Sequence, residues 1–114
     1  SLVNEWKEKI LVFIHTEKAY ENPELSLTQM ARQLKTNPSL LSKMINRGFG
    51  MNFNDFINQL RIEAVKQLIE KGEHKKQTLL ALAFECGFNS KATFNRAFKK
   101  AIGQTPREFI STNK

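Results

Sequence analysis

One pattern occurs twice in this chain: a short apolar helix, a tight turn and a longer amphipathic helix. Ser26 shifted by 52 residues falls on Thr78, and Gly50 shifted by 53 falls on Gly103. The change from 52 to 53 predicts that the second turn is one residue longer than the first. A helical hairpin that only packs has no need of a duplicate, so the repeat predicts an all-α fold with two helix-turn-helix lobes.

The second copy is most distinctive from Gly87 to Phe109, GFNSKATFNRAFKKAIGQTPREF. Gly87 stands between two helices, where a residue tolerant of positive φ is favoured. Apolar residues then recur at i, i+3, i+4 and i+7, so one stripe of the helix can bury against a core. This stripe contains Phe94, Ala97, Phe98 and Ala101, and the remaining surface carries Lys91, Ala92, Asn95, Arg96 and Lys99.

The first copy begins at Ser26, where Gln29 three residues on completes a capping-box pattern. After a turn at residues 35–37, Pro38 opens a second helix over residues 38–47, in the first turn where its missing N–H costs nothing. Leu41, Met44 and Ile45 are predicted to face inward. The outward residues are Ser39, Ser42, Lys43, Asn46 and Arg47.

Two longer helices complete the expected set of about seven. Residues 3–20 are predicted to form the first, ended by Asn22-Pro23, because the residue before proline is pushed out of the helical region. A connecting helix at about residues 52–71 ends at Gly72. It is roughly 28 Å long, close to the one-turn spacing of about 34 Å between major-groove faces. Its apolar residues form two nearly opposite faces, so we expect one lobe to pack on each face. One face contains Phe53, Phe56, Ile57, Leu60, Ala64 and Leu68, and the other contains Ile62, Val65 and Ile69.

Charge is distributed unevenly along the chain. The formal net charge of +7 divides into −2 for residues 1–24, +3 for residues 25–70 and +6 for residues 71–114. The basic excess therefore lies in the half that contains the second copy, which favours a polyanionic partner.

The sequence contains no residue pattern typical of a disulfide, a metal site or a catalytic site. One cysteine excludes an internal disulfide, and Cys86 ends an apolar helix, where a buried thiol is expected. His15 and His74 lack metal-ligand spacing and are expected at the surface, whereas Phe84 and Phe88 are expected in the core. We predict no enzyme activity, cofactor, metal or small-molecule site, no membrane span, and a cytoplasmic domain of a longer protein.

At these residues the chain resembles the DNA-binding domain of the AraC/XylS family of bacterial transcription regulators. The resemblance extends from about Leu25 to Phe109 and is most specific in the closing motif, with NFNDFINQLRIEAVKQLI in support. It implies one domain over residues 1–114, with lobe 1 at about 3–51, a rigid connecting helix at about 52–71 and lobe 2 at about 72–114. It also implies sequence-specific binding in the major groove of double-stranded DNA, with RNA polymerase and a sensor or dimerisation domain of the same protein as further partners.

The expected DNA-binding residues lie on the second helix of each lobe. Three features of the first lobe depart from the family's pattern. Lys35 stands in the turn where the family commonly has glycine, and Gly48-Phe49 replaces the usual polar pair before Gly50. The helix over residues 38–47 is also poor in long hydrogen-bond donors. The first lobe is therefore expected to contribute mainly phosphate contacts. The full set is Ser39, Ser42, Lys43, Asn46, Arg47, Lys91, Ala92, Thr93, Asn95, Arg96 and Lys99.

Two other functions remain open on the residues alone. A helical protein-interaction module predicts an exposed apolar patch and binding that tolerates salt. A non-specific nucleic-acid binder predicts equal affinity for any duplex. Sequence-specific DNA binding is the hypothesis that the repeat and the charge distribution favour.

Overall fold

A computed structural model describes residues 1–112, which form seven α-helices and two 3₁₀ turns and contain no β-strand. The predicted all-α fold, with two helix-turn-helix motifs and a long helix between them in sequence, is confirmed. The helices are α1 Leu2–Glu17, α2 Leu27–Gln33, α3 Pro38–Phe49, α4 Phe53–Glu70, α5 Leu79–Glu85, α6 Lys91–Ile102 and α7 Pro106–Thr112, with 3₁₀ turns at Ala19–Glu21 and Glu73–Lys75.

The chain divides into two compact units, residues 1–57 and residues 58–114. In the first unit, α1 and α2 both pack against α3. Its interior is mainly aliphatic and sulfur-containing, and the inward positions predicted for α3 are confirmed. The buried apolar residues are Ile10, Ile14, Met30, Ala31, Leu34, Leu41, Met44, Ile45, Phe53, Phe56 and Ile57.

The second unit has a more aromatic interior. Four phenylalanine rings follow one another at centroid separations of 5.4, 5.8 and 5.6 Å, each pair edge to face. Such pairs are worth about 0.5–1.5 kcal/mol beyond the burial of their area. The rings belong to Phe88, Phe94, Phe98 and Phe109, and the cluster is completed by Ile62, Val65, Ile69, Leu82, Ala83 and Cys86.

Helix α4 contributes buried apolar residues to both units. Phe53, Phe56 and Ile57 are buried in the first unit, whereas Ile62, Val65 and Ile69 are buried in the second. The prediction that Ala64 and Leu68 belong with the first group is wrong, because both pack against the core of the second unit.

Helix α1 ends earlier than predicted. It stops at Glu17, because Lys18 adopts a left-handed conformation with φ 48° and its amide donates to the carbonyl of Ile14 (2.9 Å). A 3₁₀ turn follows, so Asn22-Pro23 does not end the helix. This difference follows from a local C-cap formed by a non-glycine residue, which the sequence pattern does not indicate.

Matching caps fix where the repeated helices begin. At Ser26 the predicted capping box is confirmed: the amide of Gln29 donates to Oγ of Ser26 (3.1 Å), and the amide of Ser26 donates to Oε1 of Gln29 (3.2 Å). The amide of Leu40 donates to Oδ1 of Asn37 (2.8 Å), as that of Ala81 does to Oγ1 of Thr78 (3.0 Å). Each cap satisfies an otherwise unpaired amide and is typically worth about 1 kcal/mol.

Gly48 has a packing role within α3. A Cβ at this position would lie 2.6 Å from Cγ of Lys7 on α1. The ammonium of Lys7 lies 5.5 Å from the ring centroid of Phe49, which stacks on Phe56 at 4.5 Å. A glycine costs about 1 kcal/mol inside a helix, and here it allows the side chain of α1 to approach α3 closely.

Candidate nucleic-acid interface

The two helix-turn-helix turns have the same hydrogen-bond pattern. The amide of Thr36 donates to the carbonyl of Ala31 (2.9 Å), and the amide of Phe88 donates to that of Ala83 (3.0 Å). The turns differ in length: residues 34–37 join α2 to α3, and residues 86–90 join α5 to α6, so the predicted extra residue is confirmed. The sequence repeat is therefore a repeat of the backbone.

The positive φ in these turns falls on different residue types. Gly87 has φ 109° in the second turn, whereas Lys35 has φ 58° in the first. Lys35 thus occupies the position at which glycine was expected, and it adopts the left-handed conformation without being glycine. That conformation costs a non-glycine residue about 1–2 kcal/mol.

Helix α6 presents the predicted polar residues together. Phe94 and Phe98 are buried, and Thr93 is half-buried, while the other predicted residues are exposed: Lys91, Ala92, Asn95, Arg96 and Lys99. Ser90 starts the helix by accepting the amide of Thr93 (3.3 Å) on its Oγ. The prediction that Ala101 is on the buried stripe is wrong: Ala101 is exposed, and Ile102 packs against the core instead. Ile102 lies one full turn after Phe98 and brings more apolar area.

Helix α3 presents a comparable polar face. Four of the predicted residues are exposed (Ser39, Lys43, Asn46 and Arg47), and Ser42 is half-buried. The side-chain amide of Asn46 donates to the carbonyl of Ser42 (3.3 Å) on its own helix. This bond occupies one of the two donors of that amide.

Neither recognition helix contains an acidic residue. Helix α3 carries two cations, Lys43 and Arg47, and α6 carries four, Lys91, Arg96, Lys99 and Lys100. The only ion pair found for Lys99 in residues 1–112 is exposed, with its Nζ 4.0 Å from Oε1 of Glu108. Exposed pairs of this kind contribute about 0–1 kcal/mol, so Lys99 can exchange this partner for a phosphate.

Comparison with known proteins identifies the family. The helix-turn-helix domain family matches this chain over residues 30–112, which include α3, α6 and both turns. The chain belongs to the AraC-type helix-turn-helix family. Domains of this family are the DNA-binding parts of transcription regulators and are not typically enzymatic.

Curated relatives agree with this assignment. An uncharacterized HTH-type transcriptional regulator of Staphylococcus aureus (strain COL) is 33% identical over 86 residues, 75% of this chain and 11% of that protein. The HTH-type transcriptional regulator GlxA of Rhizobium meliloti (strain 1021) is 31% identical over 90 residues, 79% of this chain and 26% of that protein. The chain thus spans between about a tenth and a quarter of these regulators.

Solved structures share the AraC-type fold. The C-terminal domain of the two-component response regulator yesN from Fusobacterium nucleatum has 27% identity and a TM-score of 0.75, over 93% of this chain and 98% of that one. The C-terminal domain of AraT, a response regulator from Geobacillus stearothermophilus, has 25% identity and a TM-score of 0.74, over 98% of this chain and 85% of that one.

A groove beside α6 contains a basic residue, Arg107, that the sequence pattern does not place there. This groove, of about 460 Å³, is lined by Lys91 and Asn95 of α6 and by Arg107 of α7. Arg107 is exposed. The basic excess of residues 71–114 included Arg107, but nothing in its spacing placed it beside α6.

Glu108 lies next to this groove. The amide and then the hydroxyl of Thr105 donate to the Glu108 carboxylate and lower its pKa, burial opposes them slightly, and Lys99 lowers it further. The amide of Thr105 lies 2.8 Å from Oε1, and the amide of Glu108 donates in return to Oγ1 of Thr105 (3.1 Å). This capping box fixes the start of α7 beside α6.

Two side chains outside the recognition helices differ from expectation. Phe84 is 49% exposed, so its predicted core position is wrong, whereas Phe88 and Cys86 are buried as predicted. The contact of α5 with the core is supplied by Leu82 and Ala83. His15 is exposed as expected, but His74 is half-buried, and its Nδ1 is buried without a hydrogen-bond partner in the described residues.

The part of the chain that the structure describes contains neither a metal-binding cluster nor a membrane-spanning helix. Over residues 1–112, His, Cys, Asp and Glu side chains form no group of three that could hold a metal ion. Within the same residues, no helix has both the length and the apolarity to cross a membrane.

Proposed function

We propose that this chain binds double-stranded DNA sequence-specifically through the outward faces of α3 and α6, and so regulates bacterial transcription. The observation that carries the proposal is the exposed surface of α6. It combines four exposed cations with Asn95, contains no acidic residue, and belongs to the second helix of a duplicated helix-turn-helix. The second helix of such a motif enters the major groove, where long polar side chains reach base edges and phosphates.

The proposed contacts differ in kind along α6. Arg96 is the longest exposed donor on this helix, and arginine bound to O6 and N7 of guanine is the commonest specific contact. Lys91, Lys99 and Arg107 are proposed to contact phosphates, which position the protein without specifying sequence. On α3, Lys43 and Arg47 are proposed to bind phosphates, while Ser39, Ser42 and Asn46 make shorter contacts.

The wider role is also a proposal. The matched regulators are several times longer than this chain, which supports its place as one domain of a longer protein with a sensor or dimerisation domain. RNA polymerase is the further partner expected of such a regulator, and the cytoplasm is the compartment in which it would act.

The decisive experiment is selection of bound sites from a pool of random duplexes, followed by titration of the selected duplex. We expect a defined sequence to be enriched. Affinity should fall by about 10³ to 10⁵ between 50 and 200 mM salt if about 6–10 phosphates are contacted, because bound cations release counterions.

A matched pair of variants controls for total charge. Lys43→Ala removes a cation from α3, and Lys18→Ala removes one outside both helix-turn-helix motifs; only the first should weaken binding and reduce the salt dependence. Equal affinity for every duplex would support a non-specific nucleic-acid binder. A nearly flat salt dependence would support a protein-interaction module.

A further inference from the structure

Arg61 is the one charged residue that is buried in the described part of the chain, with 9% of its surface exposed. It lies on α4, and its Nη1 donates to Oδ1 of Asn58 at 3.0 Å. Burial lowers the pKa of Arg61 from its ordinary value, but a guanidinium remains charged at neutral pH. An apolar side chain of similar volume would fill the same space without the cost of removing a charge from water. Packing alone therefore does not explain an arginine here.

The guanidinium of Arg61 faces the turn of the second helix-turn-helix. Its central carbon lies 5.8 Å from the ring centroid of Phe88, within the range of a cation–π contact. Phe88 directly follows Gly87, and its amide makes the hydrogen bond that closes the turn onto α5. Arg61 thus joins α4 to the segment that sets the direction of α6.

Phe88 also contacts the recognition helix directly. Its ring meets that of Phe94 edge to face at 5.4 Å. Phe94 lies in the first turn and a half of α6 and is buried, whereas Lys91, Asn95 and Arg96 on the same helix are exposed. A movement of Phe88 would therefore rotate or shift the side chains that are proposed to read DNA.

The first unit lacks this connection. A shift of 52 residues places Lys9 at the position of Arg61 and Thr36 at the position of Phe88. Lys9 is exposed, and its ammonium lies over the ring of Trp6 on its own helix (4.6 Å). Thr36 offers no ring to a cation. The contact is thus a feature of the second unit and not of the repeat.

We propose that Arg61 is a positioning residue for DNA reading: through Phe88 and Phe94 it holds the second recognition helix at the angle that base recognition requires. This inference rests on the proposed function of α6. A reading site must be held within about 0.5 Å of its productive geometry, so loss of Arg61 should affect base preference more than folding.

The test compares Arg61→Met, which leaves an unbranched apolar side chain and removes the charge, with Lys9→Met at the equivalent position of the first unit. Amide hydrogen exchange is measured first, without DNA. In Arg61→Met, exchange at Gly87 and Phe88 should rise about tenfold, because a cation–π contact and its hydrogen bond are lost. Exchange at Val65 inside α4 should change less, and Lys9→Met should leave all three amides unchanged.

The second measurement uses single-substitution variants of the selected duplex. Arg61→Met should reduce discrimination about tenfold at the base pairs that also respond to Arg96→Ala. Pairs that respond to changes on α3 should keep their preferences. Arg61→Lys, which retains a cation without the planar guanidinium, should restore only part of the discrimination.

Two outcomes would overturn the inference. One is a uniform rise in exchange across the second unit together with unchanged relative base preferences, which is the signature of lost stability alone. The other is no change in exchange at Gly87 and Phe88. If wild-type protein selects no duplex, the proposed function fails, while the exchange measurement still decides whether Arg61 holds the turn.

Discussion

The two units contain the same helix-turn-helix backbone built around different interiors. Leu41 and Ile45 on the buried side of α3 correspond, at a shift of 53, to Phe94 and Phe98 on α6. Around α6, four phenylalanine rings make successive edge-to-face contacts, whereas the first unit has a single stacked pair, Phe49 and Phe56, among its described aromatic contacts. The caps and turn hydrogen bonds are repeated, but the cores are not.

The outward faces of α3 and α6 also carry different side chains at equivalent positions. Lys43 on α3 corresponds to Arg96 on α6, and Ser42 corresponds to Asn95. Serine reaches less far than asparagine, and lysine lacks the bidentate geometry of arginine. The comparison suggests that selection can vary the interior and the binding face of a helix-turn-helix while its local hydrogen bonds stay fixed. This difference supports the proposal that the second unit reads bases and that the first contributes mainly phosphate contacts.

The largest expected effect tests the difference between the cores. Phe98 is fully buried between two other rings, so Phe98→Ala should lower the free energy of unfolding by about 3–5 kcal/mol. Urea denaturation followed by far-ultraviolet circular dichroism measures it. Ile45→Ala is the matched change in the first unit, where Trp6, the only tryptophan, reports unfolding by fluorescence. A larger loss for Ile45→Ala would contradict the larger contribution to stability that is expected from the aromatic interior.

The next effect concerns base reading. Arg96→Ala should remove about 1–3 kcal/mol of discrimination at one or two base pairs, because the bidentate donor is lost. Lys43→Ala, at the equivalent position of α3, should weaken all duplexes alike. Titration of single-substitution duplexes at two salt concentrations separates the two results. Unchanged base preference in Arg96→Ala would show that another residue reads the sequence.

Lys99 provides a comparison within α6 itself. Lys99→Ala should weaken every duplex equally and lower the salt slope by about 1, as expected for one lost phosphate contact. Measured affinities over a range of salt concentrations give the slope. If Lys99→Ala instead alters the preference among duplexes, its proposed contact with a phosphate is wrong.

Substitutions at the two positive-φ positions of the turns should have smaller effects on stability, opposite in sign. Gly87→Ala should destabilise the protein by about 1–2 kcal/mol, since its φ of 109° strains any residue with a Cβ. Lys35→Gly should stabilise it by up to about 1 kcal/mol, because the strain at φ 58° is removed but unfolded-state entropy rises. Thermal unfolding of both variants provides the measurement. Destabilisation by Lys35→Gly would mean that Lys35 makes a compensating contact.

The smallest effect depends on pH. The pKa of Glu108 is lowered in the folded state, first by the amide of Thr105, so ionised Glu108 stabilises the fold above the ordinary pKa of a glutamate. This stabilisation should be lost as pH falls through the lowered pKa. Glu108→Gln should therefore reduce the melting temperature slightly at pH 7, with a difference that shrinks in acid. A constant difference at all pH values would exclude ionisation as the cause.

Local signals in the sequence were sufficient for most of the backbone. The capping box at Ser26, the proline that opens α3 and the extra residue in the second turn are all confirmed. Each depends on residues no more than a few positions apart, so each can be recognised without knowing what packs against it. The inward faces of α3 and α6 follow from helical periodicity in the same way.

Burial of individual residues was less predictable. Periodicity places Ala101 on the apolar stripe and Phe84 in an apolar run, yet both are exposed. No sequence pattern indicated that Arg61 is buried or that Arg107 lies beside α6. Which of several apolar neighbours is covered depends on the position of the helix that covers it, and that position is set by residues distant in the chain.

The sequence by itself determined the helices, the caps, the repeated turns and the family, because backbone hydrogen bonding and periodicity are governed by near neighbours. Only the tertiary structure decided which apolar residues α4 buries in each unit, that Arg61 contacts Phe88, and that Arg107 lines a groove with Lys91. These features join residues about 15 to 50 positions apart. Their energies depend on distance and burial in space, which a linear pattern does not contain.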